Sequence, residues 1–198
     1  MSLAIFENFL KFAEGAVRSK ADLPATIDVV EFENALVNYG VVLLHSHMEQ
    51  CMRRSMDARL SRCLDPQALA FAIDKRKETT GRIGIEYLTK SLGRFSDGYK
   101  NGFKAHLKAS GLGTSWDSVV NQRHTVAHEG LPASLTLADL RLYYEHIRKV
   151  LGFFCDGLCL TSAEVEGIST LIVQVIAPSP PGHEGRAGLS GACTTPRP

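Results

Sequence analysis

Apolar residues recur three and four positions apart through most of the first 160 residues, and Pro24, Pro66 and Pro132 fall between the periodic segments. That spacing puts one apolar stripe along each helix, and proline is tolerated only in a helix's first turn or outside it. The pattern predicts an all-α domain, an up-and-down helical bundle with short connections. A first helix is expected from Leu3 to Arg18, with Ile5, Phe6, Phe9, Leu10 and Phe12 as its buried stripe. The second and longest is expected over Val30 to Arg62, with Phe32, Leu36, Tyr39, Val42, Leu43, Met48 and Met52 inward and Arg53, Arg54, Arg59 and Arg62 near its end.

Asp65 followed by Pro66 reads as an N-cap and first helical residue, opening a helix through "PQALAFAIDKRKE". The segment "EYLTKSLGRFSDGYKNGFKAHLK" is weaker, because Gly93, Gly98 and Gly102 lower helix propensity and mark a break or a mobile stretch. A short helix "SWDSVVNQRHTVAH" is expected to open on a serine cap and end at Gly130 and Pro132. The last helix is "TLADLRLYYEHIRKVLGFFCDGLCL", capped by Thr136, with Leu140, Tyr143, Tyr144, Ile147, Val150, Leu151 and Phe154 inward. Residues 1–162 thus form the helical domain. Over residues 163–198 a short extension, "TLIVQVIAP", packs on the bundle or adds a strand. It precedes a flexible, disordered tail rich in Pro, Gly, Ser and Thr. No internal repeat is visible.

Composition changes this picture little. A chain of 198 residues fits one domain and a tail, and such a domain buries a core without disulfides or metal. The formal net charge of +1 marks neither a general nucleic-acid binder nor a membrane-surface protein. The distribution is more informative: residues 1–34 carry six acidic and three basic residues, and residues 49–108 carry thirteen basic and seven acidic. A basic middle suits either a phosphate-facing surface or a solvated helix face. Cys51, Cys63, Cys155, Cys159 and Cys193 form no CxxC pair and read as reduced thiols of a cytoplasmic protein. "MSLAIFENFLKFAEG" lacks the parts of a signal peptide, and proline breaks "STLIVQVIAPSPP" too early for a membrane span. No membrane is expected.

The stretch "NQRHTVAHEG", residues 121–130, holds the candidate chemistry. Arg123 and His128 are five apart, about 140° around an ideal helix, and diverge if the helix stays regular. If it relaxes near Gly130, the imidazole swings toward the guanidinium and both face one phosphate. An arginine grips phosphate oxygens with a planar fork and keeps its charge, while a histidine exchanges a proton near neutral pH. Together they suit RNA cleavage in which the ribose 2′-hydroxyl attacks, the histidine moves a proton, and the arginine neutralises the phosphorane.

The order of arginine, polar residue and histidine near a helix end in a small all-α domain resembles the HEPN superfamily (higher eukaryotes and prokaryotes nucleotide-binding). "RHTVAHEG" is close to the RNxxAH(G) form of bacterial members. "LVNYGVVLLHSHMEQCMRR" resembles the family's long second helix and "SLTLADLRLYYEHIRKVL" its final bundle helix, so the likeness runs from about Phe32 to Leu160. It implies a metal-independent endoribonuclease without a cofactor, set in a toxin–antitoxin or phage-defence system. It also implies a homodimer whose two motifs build one composite site, an RNA substrate, and an antitoxin or defence-complex protein as partner. In it Arg123 stabilises the scissile phosphate, His128 is the acid–base group, and His124 and Glu49 support them, Glu49 by hydrogen-bonding Arg123 or a histidine. Arg53 and Arg54 are candidate RNA-binding residues. The tyrosine that some members carry two positions after the histidine is replaced by Gly130, which puts control by AMPylation there in doubt.

Plainer readings stand beside these. Arg123 can make a helix-end salt bridge while His128 caps the last carbonyls, and the arginines past Glu49 can be plain surface charge. Trp116, Tyr143 and Tyr144 suit the core or a dimer interface, Cys155 and Cys159 are small packing residues, and His45 and His47 point to different sides of their helix. His124 with His128, and His45 with Glu49, have metal-ligand spacing. "HTVAH" lacks the glutamate of HExxH, however, and an arginine is an awkward neighbour for a cation. A catalytically silent HEPN domain that binds RNA, nucleotide or protein is the competing function, and a triggered subunit of a larger complex a third.

Overall fold

The computed structural model describes residues 4–19, 24, 26–77 and 83–168, and the expected "TLIVQVIAP" extension and tail lie outside the described residues from 169 onward. The elements are α1 Ala4–Arg18, α2 Val29–Leu60, α3 Pro66–Lys77, α4 Ile85–Gly93, α5 Asp97–Ser110, α6 Gly113–His124, a π-helical turn Thr125–Glu129, and α7 Leu137–Gly157. A further helical stretch covers 162–168. Among the described residues there is no strand, and no helix is long and apolar enough to cross a membrane. The all-α reading stands.

Four helices, α2, α3, α5 and α7, begin where a side chain just ahead of them satisfies their orphan amides. Asp28 accepts from Val30 N and Glu31 N at 2.7 and 3.2 Å, starting α2. Asp65 accepts from Gln67 N and Ala68 N beside Pro66, as the sequence predicts. Thr136 forms a reciprocal capping box with Asp139 at the head of α7. The weak glycine-bearing segment is two helices, broken at Arg94–Ser96, with Ser96 Oγ accepting from Gly98 N at 3.1 Å. Gly98 and Gly102 lie within a continuous α5. One cap is different: α6 starts at Gly113, and Ser115, read as its cap, is buried and pairs with His146 Nδ1 of α7 at 2.7 Å.

The core is one cluster in which α2, α6 and α7 meet, with α1 and the α4–α5 pair packed around them. Trp116 is fully buried at its middle and its indole N–H donates to the Ile83 carbonyl. A fully buried large apolar side chain stabilises such a core by roughly 1.5–3 kcal/mol. In α1 the stripe is Phe6, Leu10 and Ala13, and Phe12 is 66% exposed, not buried as expected. It stands two positions beyond Leu10, about 200° around the helix. In α2 the stripe is Val37, Val41, Leu44, Met48, Cys51 and Met56. Tyr39 and Val42, expected inward, lie off that line and are exposed, Tyr39 edging Phe9 with ring centroids 5.3 Å apart. The expected inward face of α7 holds, with Tyr143 half-buried. Gly40 lets α2 approach its neighbours closely: a Cβ there would meet Leu140 Cδ1 and Phe9 Cε1 at 2.7 Å. Past α7, the Arg62 guanidinium clamps the Cys159 carbonyl and the Glu164 carboxylate, and Ile168 is buried in the core.

His47 is buried beside α2's core stripe, and burial, with the Arg54 charge behind it, pushes its imidazole down to about 4. Because that lies below its unfolded value of about 6.5, the unfolded chain binds the extra proton first as pH falls. The contribution is therefore complete above pH 6.5 and is lost on the way to pH 4, amounting to roughly 3 kcal/mol. Replacing His47 by Gln should flatten the decline in urea-unfolding stability between pH 6.5 and 4.5. The same slope in both proteins would contradict this account.

Candidate functional site

α6 carries the motif into solvent. Trp116 and Val119 anchor its inner face, and its last turn holds Arg123 and His124. Thr125 N–H is shared between the Asn121 and Gln122 carbonyls, after which the chain widens into the π-helical turn that Gly130 closes at φ 66°. A positive φ of this size suits glycine and ends the helix there. The following loop is tied down twice: Ala133 N donates to Asn38 Oδ1 at 2.8 Å, and Ser134 N donates to Gln122 Oε1 at 2.8 Å.

The wider turn decides the geometry. In an α-helix residues five apart diverge, but in a π turn the i and i+5 positions are hydrogen-bond partners and stack along the axis. Arg123 Nη1 accordingly lies 3.0 Å from His128 Nε2. Arginine has only donors, so His128 Nε2 is the acceptor and the ring proton sits on Nδ1. His124 is one turn back, with its ring centroid 4.8 Å from that of His128. Both imidazoles are exposed and Arg123 is half-buried, so the motif is neither sealed in the bundle nor a terminal cap. The relaxed-helix expectation is met within one chain.

A cleft of about 590 Å³ opens over these three residues, walled by His45 of α2, Glu86 and Tyr87 of α4, and Asp117 and Asn121 of α6. Asp117 also accepts from Ile85 N at 2.9 Å, pinning the start of α4 to α6. His45 is 8% exposed. Its imidazole is held below the ordinary histidine value chiefly by burial and then by the Arg123 cation, against the opposing pull of Glu49.

The other expected site residues are placed differently. Glu49 lies one turn beyond His45 and pairs with Arg53 at 3.5 Å, not with Arg123. Arg53 follows on that same stripe. Arg54 is turned toward His47 and Cys51 on another side of α2. Neither Arg53 nor Arg54 lines the cleft. The metal-ligand spacing of His124 and His128 leads to a guanidinium on His128 Nε2, and among the described residues no three His, Cys, Asp or Glu side chains gather as a metal set.

Sequence reasoning missed His45, Tyr87, Glu86 and Asp117 as cleft residues. For His45 a signal existed, since it stands four positions before Glu49 on one helix face. The α4 residues gave none, because nothing local links that segment to α6.

Neither a curated protein nor a solved structure matches the chain. The family model RiboL-PSP-HEPN matches residues 3–159, which takes in every helix from α1 to α7 and the whole cleft. HEPN domains are associated with nuclease and other RNA-related functions. With a helical bundle of the right kind, an Arg–His pair at the end of α6 and a match over most of its length, the chain belongs to the RiboL-PSP-HEPN family of the HEPN superfamily.

Proposed function

We propose that this domain is a metal-independent endoribonuclease that cleaves RNA through the ribose 2′-hydroxyl. The observation that carries the reading is the 3.0 Å contact of Arg123 Nη1 with His128 Nε2 on the wall of an open cleft. A guanidinium resting on an imidazole is a cation waiting for an anion. When a phosphodiester enters, its oxygens offer the fork a stronger, charge-assisted partner, and Arg123 moves from the ring nitrogen to the phosphate. That releases His128 Nε2 for proton transfer at the same phosphorus. Arg123 then opposes the charge that grows on the phosphorane, and His124 supports the pair from one turn below.

The strand path draws support from a second groove of about 580 Å³, lined by Lys90, Lys100 and Lys104, which shares Glu86 and Asp117 with the cleft. Arg53, paired with Glu49 a turn past His45, and Arg54 further round α2 stand outside the cleft and are assigned at most to the outer part of the strand path. Two exposed apolar side chains, Val42 at 41% and Leu131 at 56%, lie within a turn of His45 and just past Gly130. They suit a covering second copy, and we place the domain in a homodimer. The setting we propose is a cytoplasmic toxin–antitoxin or phage-defence system in which an antitoxin or defence-complex protein restrains the nuclease.

The test is incubation of the purified protein with a single-stranded RNA and with the same sequence built of 2′-deoxynucleotides, each with and without EDTA. Expected are RNA fragments ending in 2′,3′-cyclic phosphate and 5′-hydroxyl, an intact deoxy strand, and rates unchanged by the chelator. Intact RNA, with binding retained, would instead identify a silent binding domain. Activity lost to EDTA and restored by a divalent ion would overturn the metal-independent route.

A further inference from the structure

We propose that His45 is a second catalytic histidine, the general base that takes the 2′-hydroxyl proton, while His128 is the general acid that protonates the departing 5′-oxygen. This rests on the ribonuclease reading and goes beyond it. In-line displacement places the attacking and leaving oxygens on opposite sides of the phosphorus, so a single imidazole cannot serve both at once. The cleft supplies two imidazoles from separate elements. His128 stands on the π turn at the end of α6, and His45 stands on α2, which packs against both α6 and that turn. Arg123 touches the first imidazole, lines the cleft with the second, and its charge acts on that second ring. A phosphate held by Arg123 therefore sits in a cleft lined by two histidines that come from different helical elements.

The surroundings of the two rings suit opposite roles. The titratable and charged groups that line the cleft with His45 are Arg123, His124 and His128 from α6 and its turn, Glu86 and Tyr87 from α4, and Asp117 from α6, and the charges acting on it are those of Arg123 and of Glu49 from its own helix. Burial and then the Arg123 cation bias the His45 ring toward its neutral form, the form that accepts a proton. Once Arg123 has bound phosphate its charge is opposed, and Glu49 stabilises the imidazolium that forms. His128 is exposed, and its Nε2 is open to solvent and substrate after Arg123 has left it.

The step balances without a co-reactant. The 2′-O–H bond breaks and its proton goes to His45, the 2′-oxygen forms a bond to phosphorus, the P–O5′ bond breaks, and the 5′-oxygen receives the His128 proton. The products are a 2′,3′-cyclic phosphate and a 5′-hydroxyl. Exchange with water returns the two rings to their starting states.

The decisive comparison uses two RNA oligonucleotides, one ordinary and one with sulfur in place of the scissile 5′-oxygen, whose thiolate departs without acid assistance. Wild type, His45→Ala, His45→Gln and His128→Ala are assayed on both, the Gln variant keeping the packing of α2 should Ala fail to fold. Loss of the base should lower kcat by about 10²-fold or more on both substrates, with KM within about twofold of wild type. His128→Ala should lose as much on the ordinary substrate and recover on the sulfur one. A His45 variant as fast as wild type overturns the proposal, and so does one rescued by sulfur, since that would make His45 the acid. Wild type inert toward both substrates would remove the ribonuclease reading itself, a result distinct from either.

Discussion

Arg123→Ala should slow single-turnover RNA cleavage by about 10²–10³-fold, roughly 3–4 kcal/mol of transition-state stabilisation. The magnitude follows from the proposed role of the side chain as the donor that binds the phosphate, and from its contact with His128, the proposed proton-transfer residue. Lysine should not restore the rate, because a point charge on a flexible stem lacks the planar fork that spans two oxygens. His128→Ala should cost a comparable factor, about 10²–10⁴. In the proposed mechanism the two residues act on one phosphorus as a unit, so the double variant should be slower than either single one by much less than the product of the two losses. The melting temperatures of both variants should stay near that of the wild type, because His128 is exposed and Arg123 half-buried at a helix end. Rapid-quench kinetics on a fixed RNA oligonucleotide, beside thermal unfolding of each variant, measures all of this. An Arg123→Ala protein that cleaves within threefold of wild type would falsify the assignment.

Trp116→Ala should destabilise the domain by about 3–5 kcal/mol, the largest effect expected of a single core residue. The indole is fully buried where α6 meets α2 and α7, and its N–H is the partner of the Ile83 carbonyl at the entrance to α4. Removing it opens a cavity and leaves that carbonyl without its donor. Trp116→Phe fills most of the volume and loses the donor, so its cost should be smaller. Urea unfolding of the three proteins gives the comparison, and a loss below 1 kcal/mol for the alanine variant would show that α6 is held by other means. The site should feel the change as well. α6 delivers Arg123, His124, Asp117 and Asn121 to the cleft, so looser anchoring of that helix should appear as lower kcat in the fraction that remains folded.

Much of the fold is legible because its causes are local. The Asp65–Pro66 start of α3 and the Thr136 cap of α7 follow from side-chain oxygens reaching amides two or three residues ahead, an interaction that needs no knowledge of the rest of the chain. The inward face of α7 follows from simple periodicity. Ser115 shows the limit of such reasoning: its hydroxyl has a helix-start setting in sequence, but a histidine thirty-one residues later claims it. Phe12, Tyr39 and Val42 show another. α1 and α2 are apolar around more of their circumference than the neighbours cover, so the pattern alone does not say which apolar residues stay outside.

The sequence by itself determined the helical class, most helix positions, and the resemblance of the Arg123–His128 stretch to a family motif, since periodicity, caps and short motifs are written in neighbouring residues. Only the tertiary structure decided that the helix bearing the motif widens by one residue per turn, so that side chains expected to diverge touch within one chain. It also decided that His45, from a helix some eighty positions earlier, looks into the same cleft, and that Glu49 turns to Arg53. The physical reason is common to all three. Packing of α2 against α6 and the loop tied at Asn38 and Gln122 fix where each side chain points, and those contacts join residues that no local pattern connects.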